Sequence, residues 1–172
     1  MSKREMLWHK YFMGVAEQVS TMATCGRLKV GCVLVKDKRI IATGFNGSIS
    51  GHDHCDDVGH LYNDEGRCIR TVHAEQNALI QCAKYGIPTD GAIAYVTHEP
   101  CEHCTKLLAQ AGIKTVYFKE HYNNKYNHHF YKGMEWIHLP DEVINGVLEK
   151  GDDKTIYDSR GIPAVYFQAR GS

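Results

Sequence analysis

The chain lacks any apolar run approaching the ~20 residues that a membrane-spanning helix needs. Its opening residues, Met1 to Tyr11, are charged and aromatic, without the apolar stretch of a secretory leader. Membrane insertion is therefore not expected. Excess charge is missing too: 20 Lys and Arg balance 20 Asp and Glu. No net positive field advertises a polyanionic partner, so no nucleic acid is expected, and a single phosphate group suits this balance better. No internal repeat is visible. A chain of 172 residues is normally one domain, able to bury roughly two thirds of its unfolded surface around a single core.

What the sequence does have is seven cysteines, whose spacing reads as metal sites and not as a disulfide framework, pointing to a reducing cytosol. The organising stretch is His73-Ala74-Glu75, answered by Pro100-Cys101-Glu102-His103-Cys104. One imidazole and two thiolates supply three ligands for a tetrahedral zinc, and a site with three protein ligands keeps its fourth position open for water. Glu75 is close enough to move a proton of that water without being needed as a ligand. Cys25, His54, Cys55, His60 and Cys68 form a second constellation. Four of them can complete a closed structural zinc site, with Cys25, His54, His60 and Cys68 as the expected set and Cys55 as the alternative to His54. Cys32 and Cys82 fall on apolar periodic positions and read as core residues. His52 and the pair His128-His129 read as solvated, with an interface as the alternative for the pair. Glu99, His98 and His103 read as satisfying nearby backbone groups.

Apolar residues at Leu7, Tyr11, Val15, Val19 and Met22 predict a core-facing helix over 3–23. Val30 to Val35 and Ile40 to Phe45 read as strands joined by a turn at Asp37-Lys38. Residues 46–66 have no periodicity and read as a long loop anchored by metal. Helices are predicted over 74–85, closed by Gly86, and over 101–111, before Gly112, so both metal motifs open helices whose positive ends favour thiolates. Strands over 92–97, 115–119 and 135–139, with a short helix over 126–131, complete an α/β pattern: a five-stranded mixed sheet with helices on its faces. Residues 141–150 read as a short helix, and the remainder to 172 is left largely unassigned.

H-x-E followed by P-C-x-x-C is the signature of zinc nucleobase deaminases. With the blocks Arg27-Leu28-Lys29-Val30-Gly31, Gly44-Phe45-Asn46-Gly47-Ser48, His54-Cys55-Asp56-Asp57, Arg70-Thr71-Val72-His73-Ala74-Glu75-Gln76-Asn77-Ala78 and Gln110-Ala111-Gly112-Ile113-Lys114, the chain resembles the cytidine and deoxycytidylate deaminase superfamily. It is most similar to the deoxycytidylate (dCMP) deaminases of bacteria and phages, the late-competence branch in particular. The resemblance implies a three-layer cytidine-deaminase-like fold over 1–140, with 141–172 as a tail. It also implies deamination of dCMP to dUMP, which supplies thymidylate synthesis.

In the implied reaction water attacks C4 of the cytosine while Glu75 protonates N3, then passes a proton to the departing amine. The resemblance makes the Ala74 backbone N–H the donor to the pyrimidine O2 and Asn46 the contact to the sugar hydroxyl, with Asn46-Gly47 also a turn signal. Arg27 and Lys29 are candidates for the 5′-phosphate, and Tyr122 for the base or phosphate. It further implies a cytoplasmic homo-hexamer, in the host where the gene is phage-borne. Expected regulation is activation by dCTP and inhibition by dTTP, with Mg2+ accompanying the triphosphate and Asn46, Gly47 and Arg70 as effector contacts. The alternatives are another deaminase of the superfamily, acting on cytidine, a riboflavin precursor or adenosine in tRNA, or a non-catalytic zinc module.

Overall fold

The computed structural model describes residues 2–122 and 124–144. The tail from 145 onward, including most of the helix expected over 141–150, lies outside the described residues. The elements are α1 (Lys3–Ser20), β1 (Gly31–Lys36), β2 (Arg39–Phe45), β3 (Gly47–Ser48), α2 (Cys55–Val58), β4 (Thr71–Val72), α3 (Ala74–Tyr85), β5 (Ile93–His98), α4 (Glu102–Gln110), β6 (Thr115–Glu120) and β7 (Glu135–His138), with a 3-10 turn at Asn127–His129 in place of the short helix. Five strands form one sheet in the order β2-β1-β5-β6-β7. The first three pair antiparallel, and β5, β6 and β7 run parallel. This is the mixed five-stranded sheet flanked by helices that the sequence pattern predicts.

Alternation along the strands separates two cores. Val33, Val35 and Tyr95 face α1, where Met6, Phe12, Met13 and Ala16 are buried against them. Cys32, Leu34, Ala94, Val96 and Val116 face the other way, onto Ala74, Ala78 and Cys82 of α3 and Leu108 of α4. The sheet is thus sandwiched, with the two motif-bearing helices on one side. The β1–β2 connection is a two-residue turn with Asp37 and Lys38 at φ 51° and 59°, the doubly left-handed geometry that matches hairpin twist.

The buried stripe of α1 is only in part the one expected: Val15 and Val19 pack against the core. Tyr11 and Met22 are exposed, and Met6, Phe12, Met13 and Ala16 are buried. The true stripe passes through His9, a polar residue that breaks the apolar pattern but lies with Nδ1 2.7 Å from the Tyr95 hydroxyl. Burial pushes His9 down to about 4, against a small opposing pull from Glu5. His9 is thus held neutral when folded and protonates readily when unfolded, so the unfolded state binds more protons between about pH 6.5 and 4. Stability should be full above that window and fall by ~2–3 kcal/mol as pH drops through it. Urea titrations at pH 7 and pH 4.5 check this, and His9→Phe should flatten the difference.

Gly44 in β2 lets α3 lie directly on the sheet. A Cβ there would overlap the Ala74 carbonyl and come within 2.6 Å of the Ala78 amide. Ala74 and Ala78 are the small residues of α3 facing this strand, so the contact is backbone on backbone. The C-terminus of α3 ends on Gly86 in the left-handed region. Gly44→Ala should cost ~2–3 kcal/mol by overpacking, visible as a lower urea midpoint with an unchanged slope.

Candidate active site

His73 and Cys101 each stand at the residue before a helix, in extended conformation (φ −66° and −69°), and Cys104 lies in the first turn of α4. The entry to α3 is fixed by the Gln76 side chain, whose Oε1 accepts from the His73 backbone N–H at 3.0 Å. The Asn77 side chain donates to the Phe45 carbonyl at 2.8 Å, tying α3 to the end of β2. The turn before α4 is braced twice: Thr105 Oγ1 donates to the Cys101 carbonyl (2.9 Å), and buried Asn127 donates to the Pro100 carbonyl (2.9 Å).

These two helix starts bring His73, Cys101 and Cys104 together, with all three ligand atoms within 4.8 Å of one another. His73 Nδ1 lies 3.5 Å from Cys101 Sγ and 3.4 Å from Cys104 Sγ. Bond lengths for zinc–nitrogen and zinc–sulfur give a tetrahedral edge of about 3.5 Å between such atoms, so the set fits that ion. Cys104 is buried while His73 is exposed, so the cluster opens to solvent on the imidazole side.

The second residue of α3, Glu75, is 5% exposed. Its carboxyl is close enough to His73, Cys101 and Cys104 for all three to act on its titration. Burial, reinforced by the charge of Cys101, raises Glu75 to about 7, within the range where it can both accept and give a proton at neutral pH. The thiols split: a hydrogen bond from Cys104 holds Cys101 down at about 3, and the same contact together with burial drives Cys104 up. Two thiolates so close repel, and full ionisation of both calls for a divalent cation between them.

A second cluster gathers Cys25, Cys55, His60 and Cys68, again with ligand atoms within 4.8 Å of one another. Cys25 Sγ is 3.5 Å from His60 Nδ1 and Cys55 Sγ is 3.6 Å from Cys68 Sγ. His54 is not in this group, which corrects the expected set: Cys55 takes that place. The reason is local. His54 is the residue before α2, and Cys55 is its first, buried residue. The Cys55 thiol meets Cys68, which is bridged to Tyr62. The stretch over 46–66 is also less irregular than expected, since it holds β3 and α2, and β3 pairs with β4 just before His73.

The other expected residues stand outside the His73, Cys101 and Cys104 cluster. Asn46 uses its side chain structurally: Oδ1 accepts from Val30 N and Nδ2 donates to the Leu28 carbonyl, both at 2.7 Å. Ala74 is the first residue of α3, where a backbone N–H has no partner within the helix. Arg27 and Lys29 are exposed, and Arg27 reaches the Gly66 carbonyl at 3.4 Å. Tyr122 is exposed beyond the end of β6. Arg70 donates to the Gly59 carbonyl and, with Ile49, His52, Asp53, Leu61 and Ile69, lines an open cleft of about 410 Å³. Neither Asn46 nor Gly47 lines that cleft. Sequence reasoning gave no role to Asn127, whose importance rests on a long-range contact that spacing does not reveal.

Among the described residues no helix is long and apolar enough to cross a membrane. The family model for the cytidine and deoxycytidylate deaminase zinc-binding region matches residues 6–120. The chain is 55% identical over 115 residues to ComE operon protein 2 of Bacillus subtilis (strain 168), covering 67% of this chain and 60% of that protein's length. It is 39% identical over 125 residues to the deoxycytidylate deaminase of Mycobacterium phage D29, covering 66% of this chain and 95% of the phage protein. The crystal structure of the dCMP deaminase of cyanophage S-TIM5 in complex with dCMP and dUMP superposes with a TM-score of 0.67 at 35% identity, over 76% of this chain and 96% of that one. With His73, Glu75, Cys101 and Cys104 all inside the matched region, the chain belongs to the cytidine and deoxycytidylate deaminase family.

Proposed function

We propose that the protein catalyses hydrolytic deamination of dCMP to dUMP, with release of ammonia. The observation that carries this reading is a buried carboxyl, Glu75, the second residue of α3 after His73, which the fold gathers with Cys101 and Cys104 into a set of three potential metal ligands. His73, Cys101 and Cys104 would hold zinc, which when bound acidifies a water molecule and so supplies a nucleophile at neutral pH. Glu75 takes that water's proton, delivers it to N3 of the cytosine as C4 is attacked, and later gives a proton to the departing amine. The Ala74 N–H holds the pyrimidine O2. Asn46, while bracing residues 28–30, keeps one N–H and one lone pair for the sugar hydroxyl. That brace also sets the position of Arg27 and Lys29, which supply charge-assisted donors for the 5′-phosphate.

Cys25, Cys55, His60 and Cys68 would hold a second, structural zinc, four protein ligands being the mark of a closed site. The cleft beside Arg70 is large enough for a small ligand. We assign it to the nucleotide effectors, dCTP as activator and dTTP as inhibitor with accompanying Mg2+, and the assembly to a homo-hexamer in the cytoplasm, supplying dUMP for thymidylate synthesis.

The test is turnover of dCMP, dCTP, deoxycytidine and cytidine side by side, with and without dCTP and dTTP as effectors. Preferred release of ammonia from dCMP is the expected result. A comparable rate on the unphosphorylated nucleosides defeats the substrate assignment, and an inert protein favours a non-catalytic zinc module.

A further inference from the structure

The parallel strands β5, β6 and β7 end together, at His98, Glu120 and His138, the edge at which ligands of parallel α/β sheets bind. Cys101 follows the end of β5 and Tyr122 follows the end of β6. Between them stands Glu99, whose side chain is 14% exposed and bonded through both oxygens. Oε1 accepts from the Trp136 indole N–H of β7 at 3.0 Å. Oε2 accepts from the Tyr122 backbone N–H at 3.3 Å and lies 3.3 Å from Nδ1 of His121. The Glu99 backbone N–H also donates to the Glu120 carbonyl at 2.8 Å.

The segment after β6 is therefore clamped at two successive residues of the turn that leads into Cys101. Glu99 grips residues 120–122, and the Pro100 carbonyl receives the Asn127 side chain. The Trp136 and Tyr122 groups are donors with no acceptor to offer, so the position requires a group that accepts on both oxygens. A carboxylate does this, whereas an amide of the same shape must turn its NH2 against one of the two donors.

We infer that Glu99 is a positioning residue for the nucleotide, acting through Tyr122: it holds the backbone of that residue against the turn that leads into Cys101. The inference rests on the deaminase reading for the identity of the ligand. Glu99 makes no contact with reacting atoms in this role. It fixes the spacing between the turn before Cys101 and the backbone at Tyr122, from which the aromatic side chain projects.

A double-mutant cycle tests it. Glu99→Gln should raise the KM for dCMP about tenfold, with kcat within about threefold and zinc content unchanged, because one charge-assisted hydrogen bond to the Tyr122 segment is lost. In a Tyr122→Ala background the same substitution should change KM by less than about twofold. Equal KM effects in both backgrounds overturn the inference, as does a Glu99→Gln protein that differs from wild type only in thermal midpoint or metal content. Calorimetric binding of dCMP to the zinc-loaded proteins reads the same cycle without turnover. A protein that binds dCMP but deaminates nothing would refute the enzyme reading while leaving the Glu99 coupling to be scored.

Discussion

Replacing Glu75 with Gln is expected to lower dCMP turnover by about 10⁴-fold while the protein keeps its zinc. Glutamine has the shape of glutamate and can hydrogen-bond, but it cannot carry a proton between three stations. General acid–base groups contribute about 10²- to 10⁴-fold each, and here one side chain serves as base toward water and as acid toward N3 and the amine. The position is specialised for this. Glu75 is almost fully buried in the first turn of α3, and burial lifts its carboxyl toward neutrality. None of the three expected ligand atoms comes from it, so metal content should hold at the wild-type value. Ammonia release and metal analysis on one preparation check both halves. Turnover above a tenth of wild type, or loss of the metal, would remove Glu75 from the mechanism.

The second large effect is expected at the other cluster. Cys55→Ser should reduce bound zinc from two ions per chain to one and lower the thermal midpoint by about 10 °C or more, since the binding energy of a structural zinc is folding energy. His54→Ala should keep both ions. This cluster joins the loop after α1 (Cys25), the start of α2 (Cys55) and the bridged pair of segments around Tyr62 and Cys68. Few apolar contacts hold that region, and Val58, Leu61, Tyr62 and Ile69 are all exposed. The metal therefore takes the place of a local core. Thermal melts with parallel zinc analysis decide the matter, and two ions retained in Cys55→Ser would contradict the assignment.

The contrast between His54 and Cys55 shows where sequence reasoning stops. Both residue types suit zinc, and they are adjacent. The start of α2 between them decides which side chain is buried, and a four-residue helix leaves no periodic signal. His73, Glu75, Cys101 and Cys104 were legible because each stands at the start of a helix whose pattern is strong, so local spacing carried the geometry. The sheet was legible for the same reason, through alternation and turn chemistry. The face of α1 was misread in part because His9 belongs to the buried stripe, and its hydrogen-bond partner Tyr95 is on β5. Glu99 looked like a loop residue satisfying its own backbone. Its partners are Trp136 on β7 and Tyr122 just beyond β6, and the parallel register of β5, β6 and β7 brings them together.

The most direct measurement is a crystal structure of the zinc-loaded protein with anomalous data at the zinc edge. The account predicts an ion held by His73, Cys101 and Cys104, with a fourth position not taken by the protein and the Glu75 carboxyl facing it. A fourth amino-acid side chain on that ion, or Glu75 turned away into solvent, would contradict it.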